Sequence, residues 1–258
     1  MKTTTRPGTA SAVQSRAWAA LGVFVLSTLV ASAVLLAVQP HTGLDPAALS
    51  LVQFGPALGA VATWLMFRST VAQALPSAVS TRRVGANVLT MVAACVAFWG
   101  LITAAAVVSG TATVGAAAVG SVPFSVFLGL QLIGAAGEEI GWRGLMQPLL
   151  ESRMTRVAAI SVTGATWALW HVQAFAAGPV TGACFFVSAM AFSFVLGYVG
   201  DGSFRQRVLT AAIGHWLINI AWYLLAGDNT LDRPQIVFVA IAAVLVAAGV
   251  KVYSRPTA

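Results

Sequence analysis

The feature that most constrains this chain is a series of apolar runs, each long enough to cross a lipid bilayer. About 20 helical residues, rising about 1.5 Å each, span about 30 Å of hydrocarbon. Eight runs have that length: 17–38, 48–67, 87–109, 122–149, 157–178, 180–200, 207–226 and 235–253. Only 8% of the residues are charged, against roughly 25% in soluble domains. We therefore predict an all-α, polytopic integral membrane protein.

The basic residues test this division independently. The N-terminus, the second, fourth and sixth connections and the C-terminus carry 12 of the 14 lysine and arginine residues. The intervening connections contain only Arg233, and Arg143 lies within the fourth run. Because positive residues accumulate on the cytoplasmic side of membrane proteins, the pattern predicts eight spans with both termini in the cytoplasm.

The charge distribution also bears on partners and location. The net charge of +7 is scattered among the connections, which suits loops that face an anionic membrane surface and gives no patch for nucleic acid. Arginine exceeds lysine by 12 to 2, as in GC-rich bacterial genomes. We expect a multi-pass protein of a bacterial plasma membrane, whose partners are the lipid bilayer and a peptide or protein that reaches it.

A single transmembrane domain is predicted over 17–253. It is flanked by a polar N-terminal tail at 1–16, expected to be mobile, and by a C-terminal tail at 254–258. The first run is long for the apolar part of a signal peptide, and no polar domain follows it, so we interpret it as a span. Cys95 and Cys184 lie inside apolar runs and indicate neither a disulfide nor a thiolate metal cluster.

Six strongly polar residues remain inside the predicted spans. They are Glu138, Glu139 and Arg143 in the fourth, His171 in the fifth, and His215 and Asn219 in the seventh. Ionisable residues at membrane depth are rare and usually mark a site, a relay or a cavity. The six residues therefore predict a functional site that joins three spans.

The two glutamates differ in their helical neighbours. Glu139 and Arg143 have the i,i+4 spacing of a favourable ion pair, which could equally be purely structural. Glu138 has Trp142 at i+4 and no basic residue on its own helix face. A carboxylate without a local partner is a candidate for taking and returning a proton.

Glycines lie beside the Glu138 face. Their positions, 134, 137, 141 and 144, form a stripe along the predicted helix. Small residues let membrane helices approach closely, so we expect a neighbouring span to bring its own polar groups up to Glu138.

Two further spans carry histidines. His171 follows Trp167 by one turn, and His215 shares a helix face with Asn219. A lone histidine in an apolar helix is more often a core residue than a catalyst. Two histidines with an asparagine and an unpaired glutamate can instead bind a metal, hold a water molecule or relay protons.

Together these residues form three ordered motifs: Glu138-Glu139-x-x-x-Arg143, Trp167-x-x-x-His171 and His215-x-x-x-Asn219. This pattern, over about residues 122–226, resembles the CPBP family of intramembrane proteases. The family comprises CAAX proteases and bacteriocin-processing enzymes, also described as type II CAAX prenyl endopeptidases or lysostaphin resistance protein A-like proteins. One departure is visible, because the second motif of the family usually begins with phenylalanine rather than with Trp167.

The resemblance implies an intramembrane endopeptidase whose site opens toward the cytosol and whose catalytic core is 122–226. Glu138 would be the general base that activates water, with the help of His171. His215 and Asn219 would stabilise the oxyanion. Glu139 and Arg143, with Trp142 and Trp167, would support the site.

Metal dependence stays open on the residues alone. Glu138, His171 and His215 could form a catalytic zinc set with an open position, and the family is commonly labelled metalloprotease. The three residues lie on separate helices without an HExxH motif. A metal-free glutamate mechanism is equally consistent with them.

Two other functions compete with proteolysis. A proton-coupled transporter could use Glu138, His171 and His215 as a relay, although no inverted repeat is visible. A non-catalytic immunity or scaffold protein could share the fold with its motifs intact. Nothing in the residue pattern indicates a prenyl pocket, and a prenylated substrate is not expected in a bacterium.

Overall fold

The computed structural model describes residues 7–117, 119–120, 122–227 and 229–253. Residues 1–6 and 254–258, which belong to the predicted tails and include Lys2, Arg6 and Arg255, lie outside the described residues. Eleven α-helices are described: α1 (Pro7–Val38), α2 (Gly55–Met66), α3 (Arg68–Ala74), α4 (Thr81–Ser109), α5 (Phe124–Gly141), α6 (Gln147–Glu151), α7 (Arg156–Trp170), α8 (Val172–Ala176), α9 (Pro179–Val199), α10 (Phe204–Ala226) and α11 (Gln235–Tyr253). Short 3₁₀ turns cover Gln39–His41 and Leu51–Phe54, and Trp142–Met146 is a π-helical segment between α5 and α6.

The predicted all-α, polytopic architecture is confirmed for the described residues. Five helical stretches are long and apolar enough to cross a membrane, at Ser15–His41, Thr81–Ser109, Pro179–Val199, Phe204–Ala226 and Gln235–Tyr253. They correspond to the first, third, sixth, seventh and eighth predicted spans. The total of eight spans and the cytoplasmic position of both termini stay predictions.

The other three predicted spans are interrupted or short. The second is a 3₁₀ turn followed by α2, which together cover Leu51–Met66. The fourth runs from α5 through the π-helical segment into α6. The fifth predicted span, 157–178, is not one continuous helix, because α7 ends at Trp170 and His171 leaves the helical conformation with φ −83° and ψ 62°.

The helices pack in an order that differs from the order of the chain. α1 packs on α2, α2 on α5, α5 on α10, and α10 on α4. α4 then packs on α11, α11 on α9, and α9 on α7. α5 and α10, which carry four of the six predicted polar residues, therefore lie side by side inside the bundle.

The connections separate onto two ends of the bundle. The connections 67–80, 152–155 and 200–203 meet at what we call the arginine-rich end. There Arg83 pairs with Asp201 at 3.0 Å, and Arg207 at the start of α10 pairs with Glu151 at 2.6 Å. The described residues of the connections 39–54, 110–123 and 227–234 lie at the opposite end, where the Gly115 amide donates to the Leu224 carbonyl at 3.0 Å. The structure thus groups the connections as the alternating charges predict.

The glycine stripe of α5 contacts the start of α2 and the 3₁₀ turn before it. A Cβ atom on Gly134 would overlap the Gln53 side chain, and one on Gly137 would lie 2.9 Å from a Phe54 ring carbon. A Cβ on Gly141 would lie 2.6 Å from the Pro56 carbonyl oxygen. The expected close approach is thus made by the segment 53–56, and it brings an amide side chain to the Glu138 face. Gly144 instead faces Phe204 of α10.

This contact predicts a strong effect of Gly141→Ala. The new methyl group would meet the Pro56 backbone, which cannot rotate away, and overpacking of this kind costs about 1–3 kcal/mol. Gly129→Ala in the same helix is the matched control, because its Cβ would meet nothing within 4 Å. Thermal unfolding in detergent should show a lower midpoint for Gly141→Ala and an unchanged or higher one for Gly129→Ala. Equal midpoints would contradict the close packing of α5 on the segment 53–56.

Candidate active site

The centre of the site is the last turn of α5, where both glutamates are buried. Glu138 is 2% exposed and Glu139 is completely buried. The helix continues into the π-helical segment, an irregularity frequent at functional sites. Glu139 accepts a hydrogen bond from Arg143 Nη1 at 2.8 Å, as the i,i+4 spacing predicts. The same oxygen, Oε1, also lies 2.8 Å from His215 Nδ1.

Among the described residues Glu138 has no charged hydrogen-bond partner, but each of its carboxylate oxygens accepts a hydrogen bond. Trp167 Nε1 donates to Oε2 at 2.7 Å, and Gln53 Nε2 donates to Oε1 at 3.2 Å. Trp167 comes from α7 and Gln53 from the turn before α2. These donors hold the carboxylate in one orientation while each oxygen keeps a further lone pair for a water molecule.

His171 lies at the break between α7 and α8, and the break fixes its ring. Its amide bonds to the Ala168 carbonyl at 3.1 Å instead of continuing the α-helical pattern. The Trp167 carbonyl, freed in this way, lies 2.9 Å from His171 Nδ1. Because a carbonyl only accepts, Nδ1 must carry the hydrogen, and Nε2 of the neutral ring is left as an acceptor.

Asn219 is oriented by the buried amide of Gln131. Its Nδ2 donates to Gln131 Oε1 at 3.2 Å, while Gln131 Nε2 donates to the Ala48 carbonyl at 3.0 Å. The Ala48 carbonyl can only accept, so it fixes which end of the Gln131 amide faces Asn219. Asn219 must then present its NH₂ group, whose second hydrogen stays available for another acceptor.

Aromatic rings pack the groups together. The Trp167 ring lies 5.8 Å from the His171 ring and 5.2 Å from the His215 ring, between centroids. The Arg143 guanidinium sits 4.6 Å from the Trp167 ring centroid. Trp142 is 1% exposed and packs against Phe24 and Trp170, beside the site rather than in it. Trp167 therefore contacts the acid, both histidines and the arginine.

The predicted catalytic groups share one cavity of about 640 Å³. Glu138, His171, His215 and Asn219 all line it, and Glu139 and Arg143 lie behind its wall. A smaller cavity of about 320 Å³ adjoins it and shares His171, Asn219, Gln131 and Gln173. The structure thus brings together all four residues assigned catalytic roles from the sequence. The roles themselves stay predictions.

The sequence pattern does not single out Gln53 and Gln131 as site residues. Both are uncharged, and both lie within predicted spans as isolated amides. Asn219 stands out because it follows His215 by four residues, whereas neither glutamine has such a neighbour. Burying a glutamine amide in an apolar run costs as much desolvation free energy as burying Asn219. A search for uncharged amides within the predicted spans would therefore have identified both glutamines.

The side chains proposed as zinc ligands do not fit that role as placed. Within the part of the chain that the structure describes, no group of three or more His, Cys, Asp or Glu side chains could hold a metal ion. We therefore derive no step through a metal.

Comparisons with known proteins bear on the same segment. Residues 119–221 match the family model of type II CAAX prenyl endopeptidase Rce1-like proteins. A protein named CAAX prenyl protease 2 from Methanococcus maripaludis is 29% identical over 138 residues, which cover 48% of this chain. The chain spans about half the length of that relative, 51%. The resemblance predicted from the three motifs is confirmed over this segment, which contains all three.

Proposed function

We propose that the protein is an intramembrane endopeptidase that hydrolyses peptide bonds of membrane-associated proteins or peptides. The observation that carries the proposal is the shared cavity, in which a buried carboxylate, two histidines and an asparagine converge. The match of residues 119–221 to the Rce1-like family supports it. Amide hydrolysis requires a base for water and donors for a developing oxyanion, and this set of side chains supplies both.

In the proposed mechanism Glu138 is the general base. It accepts a proton from a water molecule as the water oxygen attacks the carbonyl carbon of the scissile bond. Nε2 of His171, left as an acceptor by the bond of Nδ1 to Trp167, accepts a hydrogen bond from the other O–H of that water. Trp167 and Gln53 keep the Glu138 carboxylate fixed during the transfer.

The tetrahedral intermediate carries its negative charge on the former carbonyl oxygen. Asn219 donates its free N–H to that oxygen, oriented by Gln131. His215 donates from Nε2 while its Nδ1 faces Glu139. For both nitrogens to donate, the ring must carry two hydrogens, and the Glu139 carboxylate offsets the resulting positive charge.

The intermediate collapses when the carbon–nitrogen bond breaks. Glu138 returns its proton to the departing nitrogen, which leaves as an amine. The water oxygen remains in the new carboxyl group together with its second hydrogen, which then dissociates to solvent. Glu138 is thereby ready for another cycle. No covalent bond to the protein forms in this scheme.

The proposal is tested with purified protein in liposomes and a quenched-fluorescence peptide library. We expect cleavage by the unaltered protein, and a loss of about 10²–10⁴-fold for His171→Ala, the usual contribution of acid–base groups. A chelator arm tests metal dependence, and we expect unchanged cleavage. Cleavage that survives both Glu138→Ala and His171→Ala would contradict the mechanism. A wholly inactive but folded protein would favour the non-catalytic alternative.

Trp167→Phe tests the support of Glu138 separately. The substitution keeps an aromatic ring between the histidines but removes the N–H that reaches Oε2. A hydrogen bond to a charged group contributes about 1.5–3 kcal/mol, so we expect kcat to fall roughly tenfold or more. Trp216→Phe is the matched control, because its Nε1 donates to the Leu128 carbonyl outside both cavities. Equal kcat values for the two variants would show that Trp167 does not position the base.

A further inference from the structure

The cavities at the candidate site are bounded by chain connections from only one end of the bundle. Pro46 and Ser50, between α1 and α2, line the larger cavity. Ala47, Thr230 and Leu231 line the smaller one. Of the described residues in 67–80, 152–155 and 200–203, none lines either cavity. Both cavities therefore extend from the catalytic groups toward the end opposite to the arginine-rich end.

The path toward the arginine-rich end is filled. After Glu139 the chain continues through a series of side chains that are at most 3% exposed: Trp142, Arg143, Leu145, Met146, Leu149 and Leu150. The apolar members of this series belong to the main hydrophobic core of the bundle. A peptide could not reach Glu138 from that direction without unpacking this core.

The two ends differ sharply in charge. The described basic residues at the arginine-rich end are Arg16, Arg68, Arg82, Arg83, Arg153, Arg156, Arg205, Arg207 and Lys251. At the opposite end the described ionisable residues of the connections are Asp45, Asp232 and Arg233, together with His41. Cytoplasmic loops are the ones enriched in Lys and Arg. The arginine-rich end is thus the cytoplasmic one by the rule that orients membrane proteins.

From these two independent observations we infer that the candidate active site opens on the extracytoplasmic face of the membrane. The orientation of the site also limits the substrate class, and this part of the inference rests on the proposed function. The substrate is a peptide segment that has crossed the membrane, or that lies in its outer leaflet, and not a C-terminus modified in the cytosol. This differs from the cytosolic opening that the family resemblance implies.

The test uses two single-cysteine substitutions at exposed alanines. Ala47→Cys lies at the mouth of the smaller cavity, and Ala78→Cys is the matched control at the arginine-rich end. Intact bacterial cells that express each full-length variant are treated with a membrane-impermeant maleimide, before and after permeabilisation. The unaltered protein, with the buried Cys95 and the half-buried Cys184, gives the background.

We expect Ala47→Cys to react in intact cells and Ala78→Cys to react only after permeabilisation. Labelling of Ala78→Cys in intact cells, or failure of Ala47→Cys to label there, would overturn the inference. This readout does not depend on catalysis.

In a second experiment, a membrane-impermeant quenched peptide library is added to right-side-out and to inverted vesicles that contain the protein. We expect cleavage with the right-side-out vesicles. The predicted labelling without cleavage in either vesicle would contradict the proposed protease function while leaving the orientation intact.

Discussion

Replacing Glu138 by glutamine is expected to reduce peptide cleavage by about 10²–10⁴-fold, the range that a positioned general base contributes. The variant keeps the size of the side chain but can no longer accept the proton of water. The measurement is the rate of cleavage of a quenched-fluorescence peptide library by the variant in liposomes. The loss should appear in kcat, since the amide still occupies the same volume of the cavity.

Asp45→Asn is the matched control for this substitution. It exchanges a carboxylate for an amide of the same size at a residue that lines neither cavity. Its activity should equal that of the unaltered protein. Glu138→Gln must also elute as a folded, monodisperse protein, so that lost activity is not lost structure. A folded Glu138→Gln variant with full activity would refute the role of Glu138.

Arg143→Met is expected to have the largest effect on stability. Arg143 is 1% exposed and bonds to the fully buried Glu139. Removing one partner of a buried ion pair leaves an uncompensated charge and costs about 3–5 kcal/mol. We expect a clearly lower midpoint of thermal unfolding in detergent, or a protein that does not accumulate in the membrane.

The double variant Glu139→Gln/Arg143→Met tests whether the stability loss of Arg143→Met comes from the unpaired charge of Glu139. Both charges of the pair are then absent, so most of the lost stability should return. Activity should not return with it, because His215 no longer faces a carboxylate at Nδ1. A double variant that is less stable than Arg143→Met alone would show that the pair is not the source of the effect.

The sequence predicted much of this site because membrane-buried polar residues are few. Glu138, His171, His215 and Asn219 stand out against apolar neighbours, and the structure brings them to one cavity. The ion pair of Glu139 with Arg143 follows from helical spacing alone. The bond of His215 to Glu139 could not be predicted, since it depends on how α10 packs against α5.

The features that escaped prediction arise from tertiary contacts. The helix break at His171 could not be predicted, because no proline or glycine occupies that position. The break is stabilised by the hydrogen bond of the His171 ring to the Trp167 carbonyl. The glycine stripe predicted a close approach but not its partner. That partner is the segment 53–56, whose Gln53 is an ordinary amide in the sequence and a donor to Glu138 in the fold.

The central claim is that Glu138 activates the water molecule that hydrolyses the peptide bond. The most direct measurement is mass spectrometry of peptide products formed in water enriched in the heavy isotope of oxygen. The account predicts that the liposome-reconstituted protein yields fragments with one heavy oxygen in the new C-terminal carboxylate, and that folded Glu138→Gln yields them about 10²–10⁴-fold more slowly. Labelled fragments produced at the same rate by both proteins would contradict it.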